Sequence, residues 1–399
     1  MIKIDDKSRC CGCAACVQCC PKQCISLVAD KEGFSYPQVD VALCIDCGKC
    51  EKVCPELEQT ENYFPMHVYA AVNPVEEVRE KSSSGGIFTF LAEAVIAEGG
   101  VVFGARFDND WNVIHDYTET REGLAAFRGS KYVQSKTGET FKQTEQFLKA
   151  GRRVLYSGTP CQIKALKLFL RKEYDNLLAV DFVCHGVPSP KVWNMYLEET
   201  IAHQGDGKNS VFSHHKQEKM VIESINFRSK LHGWKKFSFA LTLSKATADG
   251  EKNTVLLSSI FHENAYMQAF LANLSLRPSC YGCPVKGGKS GSDITLGDFW
   301  GIEFVSSEID DDKGISLLII NNPEIEEWLR GKECFLSEYS LKEILGYNTC
   351  ISNSVAVPVN RDYFFHRLNE VGFYNTLRQT ISVRLTDRIR RKFYRLFTL

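Results

Sequence analysis

Beyond residue 66 the chain alternates short apolar runs with stretches whose apolar positions recur every three or four residues. That texture predicts strands interleaved with helices. Residues 87–96 read as a helix closed by Gly99-Gly100, and 101–105 as the strand that follows. A helix over 139–150, a strand over 154–156, a helix over 162–170 and a strand over 178–183 continue the series. Such strand–helix–strand order predicts a mainly parallel sheet. Between 221 and 258 apolar and polar residues alternate in short runs, with Asp249-Gly250 as a hairpin turn, so this section is expected to be antiparallel. The expected fold class is α/β, α+β overall, with a mixed sheet in the main body.

The first 60 residues follow neither pattern. They hold 11 of the chain's 17 cysteines and end in a polar, acidic linker, Pro55-Glu56-Leu57-Glu58-Gln59-Thr60-Glu61-Asn62. The chain has 399 residues, enough for two or three domains, and 48 basic against 49 acidic side chains. A net charge of −1 gives no reason to expect nucleic acid as a partner. The start, Met-Ile-Lys-Ile-Asp-Asp-Lys-Ser-Arg, has no apolar signal-like core, and no run approaches the ~20 apolar residues of a membrane span. A cytoplasmic, reducing setting is therefore expected, where sulfur-rich segments bind metal more often than they form disulfides.

The cysteines fall into two identical motifs, C-x2-C-x2-C-x3-C-P: Cys10, Cys13, Cys16, Cys20-Pro21, then Cys44, Cys47, Cys50, Cys54-Pro55. In two-cluster ferredoxins the three closely spaced thiolates hold one [4Fe-4S] cube, and the fourth, followed by proline, ligates the other. The expected sets are Cys10, Cys13, Cys16 and Cys54, and Cys44, Cys47, Cys50 and Cys20. Two structural zinc sites are the alternative, but zinc needs no trailing Cys-Pro. Cys11, Cys19 and Cys24 break the spacing and are expected to be small buried residues near the clusters. The module resembles bacterial two-cluster ferredoxins.

Further cysteines stand where strands end. Cys161 follows the strand at 154–156, Cys184 ends the next one, and Cys280-x2-Cys283 forms a two-thiol clip. Ligands of open α/β sheets bind at that edge, so these four are candidates for a third [4Fe-4S] cluster. Packing roles, or a redox or zinc pair at Cys280 and Cys283, remain alternatives. Cys334 and Cys350 have no partner at ligand spacing. Ser82-Ser83-Ser84-Gly85-Gly86 stands before a helix, where free backbone N–H groups favour a phosphate, although the same residues suit an ordinary serine N-cap. Residues 129–135 add Lys131 and Tyr132 in a polar turn. Gly288-Lys289-Ser290 is not a Walker motif, because position 283 is Cys, and no G-x-G-x-x-G follows a strand.

Taken in order, Ser83-Ser84-Gly85-Gly86, Ser130-Lys131-Tyr132-Val133, Gly158-Thr159-Pro160-Cys161-Gln162, Cys184-His185-Gly186-Val187-Pro188-Ser189, Cys280-Tyr281-Gly282-Cys283 and Asp293-Ile294-Thr295-Leu296-Gly297-Asp298-Phe299-Trp300-Gly301 resemble the coenzyme F420 hydrogenase/dehydrogenase beta-subunit family. Plant 7-hydroxymethyl chlorophyll a reductase is similar. The resemblance implies a flavin, usually FAD, with hydride passing between flavin N5 and a deazaflavin or related acceptor. It makes Gly85, Gly86, Lys131, Tyr132, Thr159 and Gln162 candidates for the flavin, and Cys161, Cys184, Cys280 and Cys283 candidates for the inner cluster. The fused ferredoxin and the long carboxyl extension depart from the F420-using subunits, which leaves the acceptor open.

Three segments follow: 1–60, ferredoxin-like; 66–375, the flavin domain; and 376–399, a basic amphipathic helix. The helix is a candidate contact for anionic lipid at the inner membrane face or for an acidic partner, or it packs on its own domain. His185 is a candidate proton shuttle, with a structural hydrogen bond as the alternative, and Asp298 a candidate for a polar substrate group. The function expected is an oxidoreductase joining a redox partner protein or ferredoxin-type donor to a small hydride acceptor. A non-catalytic electron carrier that links a donor to a partner enzyme is the alternative.

Overall fold

The computed structural model describes residues 1–58, 67–205, 220–246 and 252–381. In the amino-terminal module, α1 (Ala15–Gln18) and α2 (Lys49–Lys52) are single turns that open on left-handed residues, Ala14 and Gly48. The strands β1 (Ile25–Ala29) and β2 (Ser35–Val39) pair antiparallel between them. Ligand loops and one-turn helices leave little core of their own. The module instead lends its buried Cys10, Phe34 and Tyr36 to the core of the main body.

That body is built on an eight-stranded sheet. Its strands in chain order are β3 (His67–Ala71), β4 (Val101–Phe107), β5 (Val113–Thr118), β6 (Val154–Ser157), β7 (Leu177–Phe182), β11 (Ile294–Asp298), β12 (Ser316–Ile320) and β13 (Phe335–Tyr339). A separate antiparallel sheet holds β8 (Val221–Ser229), β9 (Ser238–Ala246) and β10 (Lys252–Ile260). The antiparallel texture expected for this section is therefore present, while Asp249-Gly250 lies outside the described residues.

The order of the large sheet is β13-β3-β12-β11-β7-β6-β4-β5. Only β11–β7, β7–β6 and β6–β4 are parallel; the other four pairs are antiparallel. The expectation of a mainly parallel sheet is thus corrected. Parallel pairing is confined to the centre, where crossover helices return the chain. Beyond it, β12 runs back against β11. Its Ser-Leu-Leu-Ile-Ile is buried throughout, and a strand covered on both faces carries no sign of its direction.

Helices α3 (Glu76–Glu80), α4 (Ile87–Ala97), α5 (Thr140–Lys149), α6 (Pro160–Leu170), α7 (Pro190–Gly205) and α8 (Ala265–Leu271) cover the faces. The helix expected over 162–170 starts two residues earlier because Thr159-Pro160-Cys161-Gln162 forms a capping box with proline at the first helical position. Leu377 is buried and Ile381 half-buried in the core of the body, so the first steps of the expected terminal helix pack on their own domain; its remainder lies outside the described residues. No helix among the described residues is long and apolar enough to cross a membrane.

Candidate electron-transfer and cofactor site

The structure groups the eight motif cysteines across the two repeats. Burial first, then the neighbouring Cys10 and Cys54 thiols, push the Cys16 thiol well above its ordinary range, and Cys13 is raised with Cys16 and Cys10 beside it. Cys54, the last ligand of the second motif, therefore sits with the first three. Cys20, the last of the first motif, lines one shallow depression with Cys44, Cys47 and Cys50. Its Sγ lies 3.4 Å from the Sγ of Cys24. Backbone donors reach the sulfurs, Ile2 N to Cys50 at 3.2 Å and Asp46 N to Cys44 at 3.4 Å, as charged thiolates require.

A buried arginine locks the module to the body. Arg277 Nε donates to the carbonyl of Cys10 at 2.6 Å, Nη2 to Ser35 O at 2.9 Å and Nη1 to Gln134 Oε1 at 3.0 Å. Its guanidinium lies 4.4 Å from the centre of the Tyr36 ring. Gln134 in turn donates to Cys11 O at 3.0 Å, and Thr137 donates to Cys13 O at 2.9 Å. On the far side Arg361 holds Glu32 through both guanidinium nitrogens, at 3.1 and 2.6 Å.

Cys161, Cys184, Cys280 and Cys283 arrive from α6, the end of β7 and a 3-10 turn at Pro278–Gly282, and they gather at one place. Burial first and neighbouring thiols after it raise Cys184, Cys280 and Cys283, the last two to about 12, while contact with Cys11 and then burial raise Cys161. Buried thiols that disfavour one another's charge are stable as thiolates only when a cationic centre neutralises them. Lys286 supplies a local cation, its Nζ donating to the carbonyls of Cys184 and Cys350. Cys11, outside both ligand motifs, contacts Cys13 on one side and Cys161 on the other, so the inner thiols adjoin the ferredoxin set.

Beside the inner thiols opens a cavity of about 610 Å³, within the range of cofactor sites. Gly86, Lys131, Tyr132, Thr159, Gln162, Cys184 and His185 all line it. Gly85 does not: it is packed behind the wall, where its N–H donates to Ser316 Oγ at 3.0 Å. Gly86, with φ +87°, is the N-cap of α4 and offers no side-chain cap, which corrects the serine N-cap alternative. The serine hydroxyls are engaged elsewhere, Ser84 donating to Ile315 O at 2.8 Å and Ser83 accepting from Ser130 N at 2.7 Å. The start of α4, Ile87, Phe88 and Thr89, therefore faces the cavity without a capping side chain, a fit for a phosphate.

The other candidate residues are more committed. Lys131 Nζ donates to the carbonyls of Phe127, Arg128 and Gly129 at 3.1 to 3.3 Å, and burial lowers its pKa to about 7. Gln162 accepts from the backbone of Thr159 at 2.9 Å and donates to Ser135 Oγ at 3.0 Å. The ring of Tyr132 stacks on Phe270, centroids 4.7 Å apart, and its hydroxyl accepts from Arg228 at 3.1 Å. His185 Nε2 lies 2.7 Å from Asn273 Oδ1, and its Nδ1 faces Cys350 Sγ at 3.6 Å. Burial lowers its pKa, which favours a neutral ring held in place.

The side wall carries residues that periodicity and spacing do not reveal. Arg228 grips Asp298 with both terminal nitrogens, at 2.7 and 3.0 Å, and lies 4.0 Å from the centre of the Phe237 ring. Trp234 Nε1 donates to the same carboxylate at 3.1 Å and stacks flat on Trp300, 4.9 Å and 5° apart. Asp298 ends β11, just before a turn at Trp300-Gly301. Cys350, which has no partner at ligand spacing, lines the cavity.

Residues 151–334 match the family model for the C terminus of the beta subunit of coenzyme F420 hydrogenase/dehydrogenase, and residues 36–59 match a 4Fe-4S binding domain. The chain is 23% identical over 202 residues to an uncharacterized protein of Methanocaldococcus jannaschii, covering 43% of this chain and 56% of that protein. It is 48% identical over 42 residues to ferredoxin 7Fe of Hydrogenibacillus schlegelii, covering 10% of this chain and 47% of that one. The chain thus spans about half the length of the curated relatives it matches. Among solved structures it is similar to a chain of the F420-reducing [NiFe] hydrogenase complex from Methanosarcina barkeri, at 19% identity and a TM-score of 0.42, over 82% of this chain and 93% of that one. The grouped thiols and the match to a 4Fe-4S binding domain define an iron-sulfur protein. Its residues 151–334 are similar to the C terminus of the coenzyme F420 hydrogenase/dehydrogenase beta subunit and follow a segment similar to a 4Fe-4S binding domain.

Proposed function

We propose that the protein is an iron-sulfur flavoprotein oxidoreductase that takes single electrons from a ferredoxin-type donor through its amino-terminal module and passes hydride to a small acceptor in the cavity. The observation that carries this reading is the junction of the three thiol sets with the cavity. Cys11 touches a ligand candidate of the ferredoxin set and one of the inner set, and Cys184 of the inner set lines the cavity itself. Clusters move one electron at a time, whereas bound FAD would take them singly and release them as a hydride pair.

The chain's own groups have definable tasks. The uncapped start of α4 and Gly86 hold phosphate oxygens, the left-handed glycine letting the backbone come close. Phe237, Phe261, Phe270 and Trp300 exclude water from the cavity wall. Arg228 and Asp298 keep a paired, fully oriented polar group beside these rings, ready for a polar substituent of the acceptor. His185, fixed by Asn273, is a neutral ring at the inner-cluster edge of the cavity.

The test is flavin extraction from anaerobically purified full-length protein, followed by assays with reduced ferredoxin as donor and a deazaflavin or a nicotinamide as acceptor. About one FAD per chain and ferredoxin-dependent reduction of an acceptor are expected. Iron without flavin would leave only an electron carrier and overturn the proposal.

A further inference from the structure

Cys11 is a cysteine that the ligand motifs do not need. It stands directly after the first ligand of the first motif and breaks the spacing of both. Half-buried, it packs on the part of the core that holds Cys13 together with residues of β6 and α6. Its thiol lies within hydrogen-bonding reach of two others, Cys13 of the ferredoxin set and Cys161 of the inner set. The body fixes the backbone around it. Gln134 Nε2 donates to the carbonyl of Cys11 itself at 3.0 Å, Arg277 Nε to that of Cys10 at 2.6 Å and Thr137 Oγ1 to that of Cys13 at 2.9 Å.

The inner set is polarised by this contact. Cys161 meets Cys11 and does not line the cavity, whereas Cys184 lines the cavity. An alanine or valine beside Cys13 and Cys161 would fill space with no polar atom, so packing alone does not call for sulfur at position 11. What sulfur adds is a hydrogen. A thiol that ligates nothing keeps its S–H at neutral pH, and a ligand sulfur carries negative charge that a donor stabilises. Hydrogen bonds to the sulfurs are one of the levers that set a cluster's potential, because reduction adds a further negative charge.

We propose that Cys11 is the junction residue of the electron path, a positioning residue whose S–H is shared between the ligand sulfurs of Cys13 and Cys161. It sets the potentials of the first and inner clusters relative to the outer one and makes Cys161 the sulfur at which electrons enter the inner set. The proposal rests on the three-cluster reading above and adds a non-ligand residue to it. The transfer balances simply: one electron leaves the first cluster and one enters the inner cluster, while Cys11 keeps its hydrogen and forms no bond.

The experiment is an EPR-monitored potentiometric titration, with iron and sulfide analysis, of anaerobic full-length wild type, Cys11→Ala and Cys11→Ser. Cys161→Ser and Cys47→Ser identify the inner and the outer signals. Both Cys11 variants are expected to keep the wild-type iron and sulfide. In Cys11→Ala the equilibrium constant for reducing the first or the inner cluster is expected to fall about threefold or more, at 59 mV per tenfold, and the outer cluster to stay in place. Cys11→Ser, which keeps a donor, is expected to hold all three potentials at or above the wild-type values. Unmoved potentials in the alanine variant would overturn the proposal, as would equal shifts in the alanine and serine variants, which would make the role one of packing. Loss of about four irons from both would also overturn it, since Cys11 would then be a ligand. A wild-type protein with no inner signal removes the three-cluster reading itself, and this proposal with it.

Discussion

Arg277 is the residue on which the seam between module and body depends most. Its side chain is 1% exposed and it spends its guanidinium on three acceptors: Cys10 O, Ser35 O and Gln134 Oε1. Replacing it with Met keeps apolar bulk against Tyr36 but removes all three bonds and leaves two backbone carbonyls in a dry seam. A hydrogen bond from a charged donor contributes about 1.5–3 kcal/mol, and the three are not additive, so the loss should be about 3–5 kcal/mol. That loss falls on the docking of residues 10–13 and 34–36, which can open locally without unfolding the sheet. Hydrogen exchange of the anaerobic protein reads it directly: a loss of about 3 kcal/mol makes the amides of those segments exchange about 100-fold faster. Arg277→Lys, which keeps the charge but not the fork, should fall between. An independent route is Gly12→Ala, since a Cβ there would come within 2.7 Å of both Arg277 Nη1 and Gln134 Nε2, at φ +71°. Exchange within threefold of wild type in the Met variant would refute the idea that this arginine holds the module.

Other consequences can be checked separately. Cys161→Ser should remove about four irons per chain while leaving the signals of the ferredoxin clusters, as counted by iron analysis and low-temperature EPR. Lys286→Met should shift the inner cluster to a more negative potential, because a nearby cation favours the reduced form; a lost interaction of about 1.4 kcal/mol corresponds to about 59 mV in a spectroelectrochemical titration. Asp181 is buried among the hydroxyls of Ser290, Ser292 and Thr295, and burial raises its pKa to about 6. A raised carboxyl stabilises the fold below its unfolded pKa near 3.8, and that contribution is lost as pH rises through about 6. At neutral pH the residue therefore costs about 3 kcal/mol, and Asp181→Asn should raise the melting temperature at pH 7.5 more than at pH 5. Equal changes at the two pH values would speak against that origin.

Much of this architecture is legible in the sequence because it is local. Cysteine spacing is a covalent constraint, and the helices at 87–96 and 139–150 repeat their apolar positions over three turns. Strand direction is not legible. The buried Ser-Leu-Leu-Ile-Ile of β12 carries the same signal whether it runs with or against β11. Nor are the long-range pairs, since Arg228 and Asp298 stand 70 residues apart and Cys11 is 150 positions from Cys161. One signal is present but easily passed over: Thr159-x-x-Gln162 is a capping pattern, and the two side chains satisfy each other's backbone at the start of α6 before any ligand is considered. The Gly85-Gly86 pair divides the same way. Gly86 needs its left-handed φ to open α4 onto the cavity, whereas Gly85 is small because Ala71 O and Ser316 N approach it from behind.

The central claim is that three sets of four thiols form one conductor leading to an organic cofactor. Its most direct test is the joint count of iron, acid-labile sulfide and flavin in full-length protein purified without oxygen. The account predicts about 12 irons, about 12 sulfides and one FAD per chain. Zinc in place of iron, or eight irons with no flavin, would contradict it.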